Sequence, residues 1–200
     1  MIVHSVPKCN RAQTQCYDLL METCRGFVLA GGRSRRMGED KGRLLWHGQP
    51  LVVYQWRRLE TLLPNSAVIG GAYRDCAVPS LPDAFPSQGP LGAILTALAA
   101  SPAALVLAVD MPLVSPETLA GLLRGSTADA VIPRPAGGRP QPLAALYRPS
   151  AQPKLAAAFA RGTRRVVDAI EDLEVDWRDL PPGQFRTMNT PGEYAEALEH

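Results

Sequence analysis

The segment GFVLAGGRSRRMGEDKG, residues 26–42, begins as a short apolar run and passes directly into glycines and cations. Its opening, Gly26 to Ala30, is continuous enough in apolar character to be a strand buried on both faces, the kind found in parallel sheets. The segment therefore predicts an α/β fold in which a glycine loop leaves the carboxyl end of a strand. Glycines at such a place let backbone N–H groups approach an anion closely, and Arg33, Arg35, Arg36 and Lys41 add charge that matches phosphate. The loop has no Gly-Lys-Ser/Thr ending and no GxGxxG spacing, which removes the usual NTPase and dinucleotide folds. From composition alone, a solvated basic loop between strand and helix remains the alternative.

Outward from this segment, short apolar runs alternate with amphipathic stretches, the pattern of a sheet flanked by helices. Further strands are expected at Ser66–Ile69, Ala104–Val109, Ala130–Pro133 and Leu143–Tyr147. Helices are expected at Leu51–Leu63, closed by Pro64 and Asn65, at Leu91–Ala100, and at Pro116–Arg124 with Ser115 as N-cap. Two more follow at Ala151–Arg161 and Arg165–Asp172. Proline and glycine cluster at Pro79–Pro90, Pro133–Pro142 and Pro181–Gly183, which read as loops. In a doubly wound sheet the ligand sits beyond the carboxyl ends of the strands. The loops after Leu29, at Gly70 and Gly71, at the VDMP turn and at GGRPQP all meet that condition.

At 200 residues the chain has the length of one domain with a substantial core. Its hydrophobic content of 46% and charged content of 20% are those of a folded protein, not of a disordered or fibrous one. A net charge of +2 is too small for a generic nucleic-acid binder. Cys9, Cys16, Cys24 and Cys76 form no CxxC pair and have no histidine at zinc-ligand spacing, so reduced thiols are expected. No apolar run approaches the ~20 residues of a membrane span, and MIVHSVPKCNRAQTQ has no apolar stretch that would serve as a secretory signal. The expectation is a cytoplasmic protein with no membrane and no nucleic-acid partner. The expected domain runs from residue 25 to 197, after an extension of residues 1–24, with Met21 an alternative start; Leu198 to His200 resemble the beginning of a purification tag.

Asp110 follows the apolar run ALVLAV and precedes Met111 and Pro112, where it would present one carboxylate at the sheet edge. Magnesium suits such a ligand, because it keeps several waters and is commonly held by one or two carboxylates plus substrate phosphates. An aspartate satisfying a turn before proline is the plainer alternative. His47, in the tight turn WHGQP, is read as structural: it has no acid or nucleophile near it in sequence, and His4 and His200 lie in the leader and the tail.

The order of motifs narrows this. LAGGRSRRMGEDK, GPLGAILTAL, VDMPLVSPETL, RPQPLAALYR and MNTPGEY together resemble, in the same order, the molybdenum cofactor guanylyltransferases of the nucleotidyltransferase superfamily, over Gly26 to Ala197. The resemblance implies a Rossmann-like fold of the nucleotide-diphospho-sugar transferase type, a mainly parallel, mixed sheet with helices on both faces. It implies transfer of GMP from GTP to the phosphate of Mo-molybdopterin with magnesium as cofactor. Other molybdenum-cofactor proteins and acceptor apo-enzymes are the implied further partners.

The same resemblance carries residue roles. Leu29, Ala30 and Gly31 correspond to backbone that contacts the nucleotide, Lys41 to a phosphate contact, Arg36 to an inward-facing cation, and Asp110 to the metal ligand; Arg33 and Arg35 fall on the solvent side. Asp83 matches an aspartate of the GTP site, and a carboxylate there suits the N1–H and N2–H₂ donors of guanine. Gly70 belongs to the nucleotide site too, although many members carry asparagine at that point. Arg139, Gln141, Arg164, Arg165 and Asn189 are the expected pterin contacts, the two adjacent arginines opening a helix whose free N–H groups would favour an anion. Where members often have two asparagines separated by one residue, this chain has Thr187 and Asn189. A CTP-dependent cytidylyltransferase is the nearest rival enzyme, disfavoured by LAGG in place of LAAG together with GPLG, and a nucleotidyltransferase acting on a sugar phosphate is disfavoured further. A nucleotide-binding regulator without turnover is the rival from another class, disfavoured by the presence of Lys41 and Asp110.

Overall fold

The computed structural model describes residues 19–31, 40–71 and 73–199, and in it the apolar run that opens the quoted segment is the strand third from one edge of a seven-stranded sheet. In chain order the elements are β1 (Cys24–Leu29), a hairpin of β2 (Leu45–Trp46) and β3 (Gln49–Pro50), α1 (Leu51–Leu62), β4 (Ala67–Ile69), β5 (Ser80–Leu81) and α2 (Pro90–Ala100). There follow β6 (Ala103–Ala108), α3 (Pro116–Leu122), β7 (Ala130–Pro135), β8 (Ala144–Tyr147), α4 (Ala151–Ala160), α5 (Val166–Ala169), β9 (Val175–Leu180) and α6 (Pro191–Leu198).

The sheet order is β5-β4-β1-β6-β8-β7-β9. Pairing is parallel from β5 to β6 and between β7 and β9, and β8 alone runs antiparallel to its two neighbours. The sheet is thus mixed and mostly parallel, as expected. From β1 the chain winds outward to β4 and β5, then returns to the other side of β1 as β6. The strand order therefore reverses between β1 and β6, the place where open α/β sheets bind ligands.

Alternation within each strand divides the core into two layers. Val28, Leu105, Leu107 and Leu146 face one side with Leu51, Val52 and Leu59 of α1 and Leu119 and Leu122 of α3. Phe27, Leu29, Val106 and Tyr147 face the other with Leu91, Ile94 and Leu98 of α2 and Leu155 of α4. A helix buried against a sheet and a neighbouring helix can be apolar nearly all round, and α2 is: every residue from Leu91 to Leu98 is buried. Sequence-coded caps fix the ends. Pro116 opens α3 behind Ser115, whose hydroxyl accepts from the Thr118 amide, and α6 begins with a capping box between Thr190 and Glu193. Leu20, in a helical turn at residues 19–23, is buried in the first layer.

The five expected strands are present with ends shifted by at most two residues. The expected helix Arg165–Asp172 is instead the four-residue α5 followed by a 3-10 turn at Ile170–Asp172. The loop expected from Pro133 begins later, because β7 continues through Pro135. Its prolines are tolerated there because pairing with β8 ends at Val131, leaving β9 as the only strand paired with them among the described residues. The strand β9 carries no signal of burial: VDWRDL is half-exposed along its length and charged, as suits an edge that must not pair further. No helix among the described residues is long and apolar enough to cross a membrane.

Candidate nucleotide and metal site

The carboxyl ends of β1 and β6 are joined by backbone: the Val109 amide donates to the Leu29 carbonyl at 3.1 Å. Just beyond this junction β1 leads to Ala30 and Gly31, and β6 leads to Asp110. The turn carrying Asp110 is braced from the face of α1. Buried Gln55 donates to the carbonyls of Ala108 and Val109, both at 3.4 Å, and accepts from Arg58, which also donates to the Pro112 carbonyl at 3.0 Å. Burial holds the Arg58 guanidinium below its ordinary pKa, in keeping with a structural cation that makes its bonds inside the fold.

Lys41 lies on a 3-10 turn, Lys41–Arg43, that follows the glycine loop. Asp40 caps that turn by accepting from the Gly42 amide at 2.9 Å and from the Tyr73 hydroxyl at 2.7 Å. Tyr73 is fully buried, and burial together with the bond to Asp40 pushes its phenol pKa well above the ordinary value. Its ring lies between two glycines: a Cβ on Gly42 would meet the hydroxyl at 2.3 Å, and one on Gly71 would meet the ring at 2.2 Å. Glycine at both positions is what allows the ring to stand there.

From this turn the Lys41 ammonium donates to Asp110 Oδ2 at 2.7 Å and to Asn189 Oδ1 at 2.8 Å. The Lys41 and Asp110 side chains keep 15% and 19% of their surface exposed, so the pair is reachable from solvent. Asn189 donates in turn to Thr187 Oγ1 at 2.8 Å. The segment is pinned to the turn after β6 by the Met188 amide on the Asp110 carbonyl. The carboxylate of Glu193 accepts from the amides of Asn189 and Thr190, bonds that hold its pKa below the usual glutamate value.

Asp83 stands close to Gly31. Its Oδ1 accepts from the Phe85 amide at 2.9 Å and from Thr96 Oγ1 at 3.1 Å, while Oδ2 would lie 3.9 Å from a Cβ placed on Gly31. Gly70 presses on Gly31 from the end of β4, with φ of 79°. Gly70 and Asp83 thus lie against Gly31 at the ends of β1 and β4, and Lys41, Asp110 and Asn189 bond to one another beyond the end of the neighbouring strand β6.

The remaining expected contacts make their bonds elsewhere. Arg139 and Gln141 sit in the loop after β7, where the Gln141 amide nitrogen Nε2 donates to the Arg139 carbonyl. Arg164 stacks over Phe159 and donates to Gln88 Oε1 at 2.9 Å, bracing the loop before α2. Arg165 is 76% exposed and pairs with Asp168 within the same short turn. The helix there, α5, has only four residues, and the amides of Asp168 and Ala169 both bond to the Arg165 carbonyl at 3.3 Å. Among the described residues no hydrogen bond or ion pair joins Arg139 and Gln141 to Arg164, Arg165 or Asn189. Arg36, like Arg33 and Arg35, lies outside the described residues.

Two glycine-bearing strand ends, a lysine, a carboxylate and a sheet of this order are the parts of a nucleotide-handling site, and the comparisons place the chain. Residues 26–175 match the model described as a MobA-like NTP transferase domain. The chain belongs to this family. A relative from Chloroflexus aggregans named "Probable molybdenum cofactor guanylyltransferase" is 40% identical over 169 residues, covering 78% of this chain and 80% of that protein. The "Molybdenum cofactor guanylyltransferase" of Vibrio cholerae is 34% identical over 181 residues, covering 84% and 88%. Among solved structures, molybdopterin-guanine dinucleotide biosynthesis protein A from Archaeoglobus fulgidus superposes with a TM-score of 0.74 at 26% identity, covering 88% of this chain and 97% of that one. As a MobA-like NTP transferase the chain is a nucleotidyltransferase, an enzyme of a kind that typically uses a divalent metal.

The residues present fit such an ion. No group of three or more histidine, cysteine, aspartate or glutamate side chains converges among the described residues, so a cation enclosed entirely by protein has no cage here. A lone carboxylate, partly exposed at the mouth of the site, is the donor set of an ion that keeps water and shares phosphate oxygens.

Proposed function

We propose that this protein transfers GMP from GTP to the terminal phosphate of Mo-molybdopterin, releasing pyrophosphate. The observation that carries the reading is the meeting of Lys41 and Asp110 at 2.7 Å beyond the β1–β6 switch point, beside the Ala30–Gly31 backbone. In the reaction an anionic phosphate oxygen of the pterin bonds to the α-phosphorus of GTP, and the bond from that phosphorus to the α,β-bridging oxygen breaks. The attacking group is already ionised, so no general base is required and positioning with charge neutralisation dominates.

The chain's own groups supply this. Backbone at Ala30 and Gly31, kept open by the absence of side chains at Gly31 and Gly70, receives the nucleotide. Lys41 neutralises phosphate oxygens as charge moves onto the leaving pyrophosphate. Asp83, with Oδ1 tied down by Thr96 and Phe85, turns Oδ2 toward Gly31 as an acceptor that suits guanine. Asp110 would hold magnesium, which, when bound together with the triphosphate, supplies Lewis-acid neutralisation of the phosphate charge.

Guanine is supported over cytosine by the names of the relatives that share 34–40% identity with the chain. The product, a guanine dinucleotide form of the cofactor, then serves later cofactor proteins and acceptor apo-enzymes. The test is to incubate the purified protein with magnesium, Mo-molybdopterin and each NTP in turn and to measure pyrophosphate. Release with GTP well above the CTP and no-pterin controls is expected. No release above those controls would end the guanylyltransferase reading, and release with CTP alone would replace it with a cytidylyltransferase.

A further inference from the structure

We propose that Asn189 is a positioning residue of the nucleotide half of the site, acting through Lys41, and not a contact to the pterin. The inference rests on the nucleotidyltransferase reading above and assigns a role within that same site.

Four observations converge on it. Asn189 Oδ1 lies 2.8 Å from the Lys41 ammonium across a sequence separation of 148 residues, so the contact is made by the fold and not by a local turn. The orientation of the amide is determined, because an ammonium offers only donors and must be met by the oxygen. The amide nitrogen is engaged by Thr187 Oγ1 at 2.8 Å. Finally, the backbone beneath Asn189 is fixed from two sides, by Glu193 Oε2 on its own amide at 2.7 Å and by the neighbouring Met188 amide on the Asp110 carbonyl at 3.1 Å. A side chain anchored in this way has little freedom to swing toward a second substrate.

The consequence for Lys41 follows from the geometry of an ammonium group. Three protons are available. Asp110 takes one and Asn189 takes another, which leaves one for a phosphate oxygen and sets its direction. Lysine carries its charge on a flexible four-carbon stem; without Asn189 the head group would be set by Asp110 alone. Asn189 also gives Lys41 an acceptor that does not depend on Asp110, so the ammonium stays at the mouth of the site when the Asp110 carboxylate is engaged by a cation. Thr187 serves the same end one step further out, by holding the amide so that its oxygen faces the lysine.

A double-mutant cycle read by binding of a fluorescent GTP analogue, with KM for each substrate measured alongside, tests this. Asn189→Ala should weaken the GTP analogue roughly tenfold, the loss expected for one hydrogen bond to a charged group. It should leave the KM for molybdopterin within about twofold, and it should add almost nothing when Lys41 is already methionine, since coupled residues are non-additive. Thr187→Val should shift GTP binding in the same direction by a smaller factor, and Thr187→Ser should restore it. A rise in the pterin KM with GTP binding unchanged would overturn the proposal. So would a loss in GTP affinity that is equally large in the Lys41→Met background. If wild-type protein used CTP in place of GTP, the guanylyl assignment would fail by itself, and the same cycle run with a fluorescent CTP analogue would still decide the role of Asn189.

Discussion

Gly70 stands so close to Gly31 that a Cβ on Gly70 would lie 2.7 Å from the Gly31 Cα and 2.8 Å from its backbone nitrogen. The two glycines end neighbouring strands, β4 and β1, and the Ala30 amide between them bonds to the Ile69 carbonyl at 2.9 Å. Any side chain at position 70 cannot be accommodated in this chain unless the Gly31 backbone moves.

Gly70→Ala is expected to act through that contact. The left-handed φ of 79° at Gly70 disfavours any Cβ, and the clash with Gly31 adds to it, so the variant should lose roughly 1–3 kcal/mol of stability. It should also weaken GTP binding while leaving the KM for molybdopterin little changed. Urea denaturation and steady-state kinetics with each substrate varied in turn would measure both. An unaltered KM for GTP would show that the Gly31 backbone does not contact the nucleotide.

Asp110→Asn separates metal binding from folding. The substitution keeps size and removes charge, and the brace from Gln55 and Arg58 acts on neighbouring backbone, so the melting temperature should change little. Turnover should fall by about 10²–10³-fold, the scale of losing one preorganised electrostatic group, and higher magnesium should recover only part of it. Activity equal to wild type at saturating magnesium would remove Asp110 from the metal role.

How far these features were legible in sequence depended on the range of the interaction that defines them. β1 and the loop after it were readable because burial on both faces leaves a continuous apolar run, and Ser115 and Pro116 announced α3 because a cap is local. The layout of β9 was not readable: as an edge strand it is charged and half-exposed, so neither alternation nor continuity marks it. Asp110 was readable from its place after ALVLAV and the resemblance brought Lys41 and Asp83 forward, but nothing within MNTPGEY reports the bond from Lys41 to Asn189 that the structure shows. Thr96 lay unseen inside an apolar helix although it orients Asp83. Asp40 and Tyr73, 33 residues apart, gave no sequence signal either; the glycines at 42 and 71 that make room for the ring are the trace they left.

That pairing predicts the behaviour of the Lys41 turn. Gly42→Ala would place a Cβ 2.3 Å from the Tyr73 hydroxyl, and overpacking of this kind typically costs about 1–3 kcal/mol. Tyr73→Phe removes only the bond to Asp40, a loss of about 1 kcal/mol. Both should weaken GTP binding more than molybdopterin binding, with Gly42→Ala the more severe, because both loosen the turn that carries Lys41. Thermal melting and nucleotide titration on the two variants would check the order.

Stability in acid should depend on a group far from the site. Asp129 is buried; desolvation works to raise its pKa, but Lys154 Nζ at 2.6 Å, Ser150 and the Glu174 amide at 2.8 Å outweigh that and hold it below the ordinary aspartate value of 3.8. A carboxylate depressed in the folded state stabilises the fold fully above its unfolded pKa, and that stabilisation is lost as pH falls through the folded pKa. The contribution of Asp129 should therefore be constant from neutral pH down to about 5 and decline below 4. Asp129→Asn should cost about 2 kcal/mol at pH 7, the scale of charge-assisted hydrogen bonds lost from a buried carboxylate. The gap between variant and wild type should narrow as both are taken below pH 3. Urea denaturation of the two proteins at stepped pH measures this gap directly, and a gap that stayed constant into acid would show that Asp129 does not carry the acid dependence.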